Sequence, residues 1–298
     1  PGQFGGQMGP EHDPFFVDAS KYNPQSYGAY PDYLFHHENG QQNADDFDFN
    51  VPNFSMPEGV DFHRMQDRVS LLSHLDGQHA ALEKSMETRL HDRYQEMATD
   101  LLFDQKTKAA FDISLANPKL KKQYGENAFG WSLLMASQLV ESGVPFVQVN
   151  LGNNECWDTH QAAFPNLKNF LLPPMDMAVS ALLDDLSSKG MLDDTLVIMG
   201  SEFGRTPKIS TLRGKPLPGR DHWGAVQTVF MAGGGVKGGR VLGSSDKIGG
   251  HPASDAKTPE DFAATIYDAL GLPKSLKWYD TSERPHFLYH GEPMSELF

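Results

Sequence analysis

Cysteine is almost absent from this sequence. The 298 residues contain a single cysteine, Cys156, so no disulfide can form within the chain, and the cysteine content indicates no particular redox compartment. A lone small thiol is more often a packing residue than a nucleophile. The fold must therefore rest on a buried apolar core, for which the chain is long enough.

Long apolar runs and an excess of basic residues are also missing. No stretch reaches the roughly 18–20 apolar residues that a bilayer-spanning helix needs, so we expect no membrane insertion. Lysine and arginine number 25 against 39 aspartates and glutamates, which gives a formal net charge of −14. Nucleic acids and anionic membrane surfaces need basic patches, and we expect neither as the main partner. An anionic small molecule is still compatible, because a local metal or arginine can override the overall charge.

The composition, 39% hydrophobic and 21% charged, is that of a folded protein rather than a disordered one. Residues 1–60 are rich in proline, glycine, asparagine and aromatics and show little periodicity, so we predict a loop-rich covering segment there. Residues 61–298 carry sustained helix and strand patterns, and we predict that they form the main α/β domain. The sequence does not indicate an oligomeric state.

Helical and extended patterns alternate along the main domain. Apolar spacing predicts helices over residues 61–76, 87–103, 129–141, about 171–190 and 259–270. Thr258 is the predicted N-cap of the last helix. Strands are predicted over residues 144–151, 195–199 and 226–232. Strands that alternate with long helices are typical of an α/β fold with a mostly parallel central sheet, in which ligand sites gather beyond the carboxyl ends of the strands.

Three loops beside these strands carry acidic and histidine side chains. The first contains Asp158 and His160, which point the same way if the chain is extended and then suit a zinc or manganese ion. The third contains Asp221 and His222. We interpret His222 as a metal ligand and Asp221 as a second ligand or as the group that orients it. Each loop also has an alternative interpretation without a metal. The first would be a solvated surface loop, and the third would be a strand flank with an Arg220–Asp221 pair.

The second loop, SEFGRTP, places Glu202 directly after a strand that is predicted to be buried. Burial of that carboxylate is costly unless a cation compensates it. Arg205 could do so by pairing with Glu202. In the functional interpretation Glu202 is a metal ligand, and Arg205 clamps a tetrahedral oxyanion, which its bidentate guanidinium suits. A hydrolase triad of Ser201, His222 and Asp158 is a weaker alternative, because the segment lacks the GxSxG elbow.

Several sequence strings together resemble one bacterial family. They are YGENAFGWSLLMASQLVESGVPFVQVNLG, WDTH, DDTLVIMGSEFGRTP, GRDHW, AGGGVKGGRVLG and TPEDFAATIYDALGLP, and the similarity continues to the terminal GEPMSELF. On these strings the chain is identified as a member of the domain-of-unknown-function family 1501. That family resembles a branch of the alkaline phosphatase superfamily, which includes sulfatases. The resemblance implies a three-layer α/β sandwich with a mostly parallel central sheet.

The resemblance also implies one or two divalent metals at the strand ends. By position, Asp158 and His160 resemble one metal-binding pair, Glu202 resembles a strand-end ligand, and His222 resembles a late histidine ligand. The usual Asp-His dipeptide is here Glu202-Phe203, and the spacing of the first pair is shorter than usual. A one-metal site or altered chemistry is therefore an alternative. The family's first strand and its nucleophile are expected upstream of residue 1, so residues 61–298 are expected to lack N-terminal strands.

These observations lead to the hypothesis of a metal-dependent hydrolase of phosphate or sulfate esters, acting on a small-molecule or glycan ester. The metal ligands that it assigns are Asp158, His160, Glu202 and His222. The catalytic groups that it assigns are Arg205 and Asp221. Zinc or manganese is the expected ion, with calcium and magnesium as further options. The alternative is a non-catalytic binding or scaffold protein on the same fold. By the resemblance, the protein is expected to be exported and extracytoplasmic.

Overall fold

The structure, a computed structural model of the chain, describes residues 4–6, 9, 12–17, 33–36, 40–43, 64, 67, 71, 105–152 and 156–298. In the N-terminal part of this set, β1 (Tyr33–His36) and β2 (Gly40–Asn43) pair as an antiparallel hairpin. Three residues of the helix predicted over residues 61–76 are described, and all three are helical. The helix predicted over residues 87–103 lies outside the described residues, and the division at residue 60 stays a prediction.

A helical core occupies the middle of the chain. Within residues 105–152 and 156–298 the α-helices are α1 (Gln105–Phe111), α2 (Pro118–Tyr124), α3 (Ala128–Ser142), α4 (Ala163–Asn166), α5 (Leu172–Ser188) and α6 (Pro259–Ala269). Helix α3 packs against α1, α2 and α5. The fully buried side chains between these helices include Tyr124, Phe129, Leu134 and Leu186. None of the described helices is both long enough and apolar enough to cross a bilayer.

Local capping explains where α3 begins and ends. The Asn127 side chain accepts a hydrogen bond from the Gly130 N–H at its start, which is the usual N-cap arrangement. At its end Gly143 has a φ of 103°, and the Val144 N–H bonds to the Leu139 carbonyl at 3.0 Å. Glycine adopts this left-handed conformation without steric cost. The prediction of a helix over residues 129–141 that ends at Gly143 is therefore confirmed.

Local capping also determines where helix α6 begins. The Thr258 side chain accepts from the Asp261 N–H, and the Asp261 carboxylate accepts from the Thr258 N–H, which completes a capping box. Pro259 stands at the first helical position, where the missing N–H costs nothing. The predicted helix over residues 259–270 and its Thr258 N-cap are confirmed. The long helix predicted to end near Gly190 is also present, as α5.

The strands are short and antiparallel. In chain order they are β3 (Val197–Met199), β4 (Gly204–Arg205), β5 (His222–Trp223), β6 (Phe230–Ala232), β7 (Ser244–Ser245), β8 (Pro252–Ser254), β9 (Lys277–Tyr279) and β10 (Pro285–Phe287). They form separate two-stranded ladders, β3 with β6, β4 with β5, β7 with β8, and β9 with β10. All four pairings are antiparallel.

The predicted three-layer α/β sandwich with a mostly parallel central sheet is wrong. The apolar segments at residues 195–199 and 226–232 do contain β3 and β6, but these two strands run in opposite directions. Parallel neighbours need a crossover connection, usually a helix, whereas residues 200–229 contain no helix. The chain therefore turns back on itself. The described residues form a mixed fold with a helical core and small antiparallel ladders.

The strand predicted over residues 144–151 is also not formed. No backbone–backbone hydrogen bond joins residues 145–151 to any other described residue. Instead Val147, Val149 and Leu151 pack as partly buried side chains against the helical core. The alternation of apolar residues that predicted a strand thus reflects an extended segment with one face on the helices.

A buried carboxylate cross-links the helical core. Asp185 on α5 accepts hydrogen bonds from the Tyr124 hydroxyl at 3.0 Å and from the Ser137 hydroxyl at 2.6 Å. The Lys189 ammonium lies 3.0 Å from the same carboxylate and 2.8 Å from Glu141. Burial lowers the pKa of Lys189, but the hydrogen bonds to Glu141 and Asp185 outweigh it, so the net pKa is raised. This network joins α2, α3 and the end of α5.

We expect the Asp185→Ala variant to lower the free energy of unfolding by about 2–4 kcal/mol, because it leaves two buried hydroxyls without their acceptor and removes one of the two carboxylates that pair with Lys189. Asp184→Ala is the matched control, since Asp184 is its exposed neighbour on α5 and should change stability by less than about 0.5 kcal/mol. Urea denaturation followed by circular dichroism measures both. Equal effects of the two substitutions would show that the network contributes nothing specific.

Candidate metal centre

The candidate site forms where the loop after Trp157 meets the β4–β5 ladder. Asp158 and His160 come from that loop, and His222 is the first residue of β5. Arg205 on β4 is paired with His222 across the ladder. Cross-strand partners in an antiparallel pair place their side chains on the same face. The ladder therefore brings an imidazole and a guanidinium to the loop that carries the acidic residue.

Three side-chain atoms converge closely at this point. The Asp158 Oδ1 lies 2.8 Å from the His222 Nε2 and 3.1 Å from the His160 Nε2. The two Nε2 atoms are 3.2 Å apart. Ligand atoms bound to one zinc-sized ion at about 2.0–2.2 Å lie roughly 3 Å from one another. Asp158, His160 and His222 thus form a group that can hold a metal ion.

The three ligand side chains are open to solvent. Asp158 is 28% exposed, His160 33% and His222 48%. A ligand from solution can therefore reach the group without a conformational change.

Asp221 orients one of the imidazoles. Its Oδ1 lies 2.7 Å from the His160 Nδ1, and this hydrogen bond lowers the pKa of Asp221. An ionised carboxylate only accepts, so Nδ1 carries the proton and Nε2 keeps its lone pair in the neutral ring. Metal-bound histidines usually have such a partner on their second nitrogen. The sequence predicted an orienting role for Asp221 toward His222, and the structure places it on His160 instead.

Arg205 contacts the same carboxylate as the two histidines. Its Nη2 lies 2.6 Å from the Asp158 Oδ1 and donates to the Trp157 carbonyl at 3.0 Å, while its Nη1 donates to the Arg220 carbonyl at 3.2 Å. Partial burial raises the pKa of Asp158, but hydrogen bonds from His222 and Arg205 and the arginine charge outweigh it and lower the pKa overall. Asp158 is therefore held ionised, as a metal ligand must be.

The predicted ligand Glu202 is not in this group. Its side chain is exposed, and its carboxylate is not among the ligand atoms that converge. Arg205, which could have paired with Glu202, pairs with Asp158. The next residue, Phe203, packs its ring against the His222 imidazole, with centroids 4.4 Å apart and the ring planes tilted by 44°. Phe203 therefore restricts the rotation of the His222 ring. It stands where the related dipeptide has a histidine ligand, and its own ring cannot bind a metal.

The proposed serine triad is not assembled around His222. The Ser201 hydroxyl donates to the Phe203 carbonyl at 2.9 Å, while the His222 Nε2 faces Asp158. Burial raises the pKa of Cys156 to about 12, so this thiol is protonated at neutral pH and is no nucleophile there. Both side chains belong to the framework around the site.

Two contributors to the site were not predicted from the sequence. Gly219 lies so close to the loop that a Cβ there would collide with the His160 carbonyl, so only glycine fits. The Ser210 hydroxyl lies 3.4 Å from the Asp221 Oδ2 and gave no signal, because it is eleven residues away along the chain. The Arg220 N–H also bonds to the Thr159 carbonyl at 3.3 Å. These contacts hold the two ligand-bearing segments together.

Comparison with known proteins places the chain in a family. A family sequence model described as "Protein of unknown function (DUF1501)" matches residues 6–298. The chain belongs to DUF1501. The family identified from the sequence strings is thus confirmed, and the match runs across the division predicted at residue 60. No curated protein and no solved structure matches this DUF1501 member. Its relation to phosphatases and sulfatases stays a prediction.

We expect Asp221→Asn to weaken metal binding by about 10–100-fold, because the neutral amide no longer fixes the His160 tautomer. Competition with a fluorescent zinc chelator measures the dissociation constant. Asp268→Asn, an exposed substitution on α6, removes the same charge and should leave the affinity unchanged. An Asp221→Asn variant with wild-type affinity would rule out the orienting role.

Proposed function

We propose that this DUF1501 protein is a metal-dependent hydrolase of phosphate or sulfate esters. The observation that carries the proposal is the convergence of the Asp158 Oδ1 with the Nε2 atoms of His160 and His222, directly beside the Arg205 guanidinium. Metal ligands next to a fixed cation suit a substrate that brings a negatively charged tetrahedral group.

The ligand set favours zinc or manganese over calcium or magnesium. Calcium and magnesium prefer sites made of oxygen ligands, whereas two imidazoles and one carboxylate suit zinc and other first-row ions. The two imidazoles and the ionised Asp158 would hold the ion. A bound ion of this kind polarises an ester oxygen and lowers the pKa of a coordinated nucleophile or water.

The protein's own residues prepare the site for an anion. Carbonyls of Trp157 and Arg220 fix the plane of the Arg205 guanidinium, so its charge is oriented before the substrate arrives. Preorganised donors of this kind stabilise developing charge without a reorganisation cost during the reaction. Arg205 would contact the oxyanion, while Asp221 keeps the proton of His160 on Nδ1.

A non-catalytic metal-binding protein is the second candidate. It is favoured by the positions of Ser201 and Cys156, neither of which is available as a nucleophile near the ligand group. A hydrolase would then have to use a water molecule or a different side chain as its nucleophile. Turnover of esters separates the two candidates, since both predict metal binding.

We expect purified wild-type protein to hold about one zinc or manganese ion per chain and His222→Ala to hold none, because two remaining ligands bind such ions weakly. Elemental mass spectrometry after dialysis measures the metal, and chromogenic phosphate and sulfate monoesters measure turnover. Metal binding should also raise the melting temperature of the wild type alone. A wild type that binds metal but cleaves neither ester class would support the binding protein, and one that binds no metal would contradict both candidates.

Glu202→Gln tests the ligand that the sequence predicted and the structure leaves outside the group. We expect this variant to retain its metal and its melting temperature, because the Glu202 side chain is exposed and its carboxylate is not among the converging atoms. The same elemental analysis applies. Loss of the ion from Glu202→Gln would instead make Glu202 a further ligand and would show that the loop moves when the ion binds.

A further inference from the structure

One segment beside the metal centre has a charge opposite to that of the whole chain. Residues 206–220, here named the basic arm, contain Lys208, Arg213, Lys215 and Arg220 and no acidic residue. The complete chain carries a formal charge of −14. Like charges gathered in one loop repel one another and weaken the folded state. Their concentration next to the ligand group therefore indicates a negatively charged partner.

The basic arm is a hairpin that leaves β4 and returns at β5. A bridge joins Ser210 and Gly219 near its base. At its tip the Lys215 N–H bonds to the Leu212 carbonyl at 3.0 Å, and Gly214 has a φ of 82°. Glycine with a positive φ at the third position is typical of a type II turn. This turn presents Arg213, its second residue, at the tip of the hairpin.

The basic residues of the arm differ in their surroundings. Arg220 is structural, since its guanidinium donates to the carbonyls of Thr206 and Arg205 at 2.6 and 3.0 Å. Lys208 and Arg213 are exposed, and neither pairs with an acidic group among the described residues. These two charges are therefore available to a ligand from solution.

The arm is attached directly to the candidate site. The Ser210 hydroxyl contacts the Asp221 carboxylate that orients His160. Arg213 follows Ser210 by three residues, and three extended residues span at most about 10 Å. The backbone of Arg213 therefore lies within about 10 Å of that of Ser210, so an anionic group bound at Arg213 is held on the same hairpin that contacts Asp221.

We propose that the basic arm binds a second anionic group of the substrate, so that the natural ester is a soluble polyanion with several phosphate or sulfate groups. The cleavage of one of these groups rests on the proposed function, whereas binding of the polyanion by the arm does not. An anionic membrane is the competing partner, because Ile209 and Leu212 in the arm are 56% and 42% exposed. The soluble polyanion is favoured, since an extended anionic surface would also face the remaining, strongly acidic chain.

The test compares two double variants with the wild type. Lys208→Gln with Arg213→Gln removes the two available charges of the arm, while Lys119→Gln with Lys122→Gln removes two exposed charges from α2. The probes are fluorescently labelled dextran sulfate oligomers and inorganic polyphosphate, titrated by anisotropy at low and physiological salt. We expect the arm variant to bind about tenfold more weakly, with a smaller salt dependence, and the α2 variant to stay within about twofold of the wild type. The probe that binds more tightly identifies the sulfate or phosphate class.

Further outcomes separate this inference from the proposed hydrolase. The contacts that shape the arm join protein groups to one another. We therefore expect His222→Ala to lose its metal but to bind the polyanion more tightly than the same variant with Lys208→Gln and Arg213→Gln added. Equal polyanion affinity in the arm variant and the α2 variant would overturn the proposal, whatever the metal content. Wild-type binding to vesicles of phosphatidylserine and phosphatidylcholine, without binding to either soluble probe, would overturn it in favour of a membrane surface.

Discussion

A single carboxylate oxygen is the point on which the candidate site depends. The Asp158 Oδ1 lies within 3.1 Å of Arg205, His160 and His222. Without that negative charge, a guanidinium and two imidazoles would face one another with no anion between them. The register of β4 with β5 and the contacts of Gly219 and Arg220 to the first loop both hold these three side chains around this oxygen. Trp157, the residue before Asp158, stacks on Phe129 of the helical core and so connects the site to it.

The features that the sequence predicted well are decided by local interactions. Helix α3 follows from Asn127 and Gly143, and α6 follows from Thr258 and Asp261, because caps involve residues only a few positions apart. The fold class failed because strand pairing is not local. An apolar run such as residues 195–199 has the same pattern in a parallel and an antiparallel ladder, and only the path of residues 200–229 decides between them.

Only part of the site was predicted, again because some of its contacts are not local in the sequence. Asp158, His160 and His222 could be chosen by side-chain type, since few chemistries need an acid and two histidines in neighbouring loops. The partner of Arg205 could not be chosen in this way. Residues three apart in an extended chain point to opposite faces, so proximity in sequence wrongly suggested Glu202. The cross-strand pair of Arg205 with His222 is a consequence of register, which the sequence does not display.

The electrostatics of the site link metal and anion binding. Without an ion, Asp158 and Asp221 are two carboxylates that repel a phosphate or sulfate group, and Arg205 is already engaged by one of them. A divalent ion held by Asp158, His160 and His222 would reverse the local charge. An anion bound beside it would in turn hold the ion more tightly, because the two affinities change by the same factor. A basic arm that binds anions, as proposed, would act in the same direction, and it would let a strongly acidic protein attract a negatively charged ligand at one place on its surface.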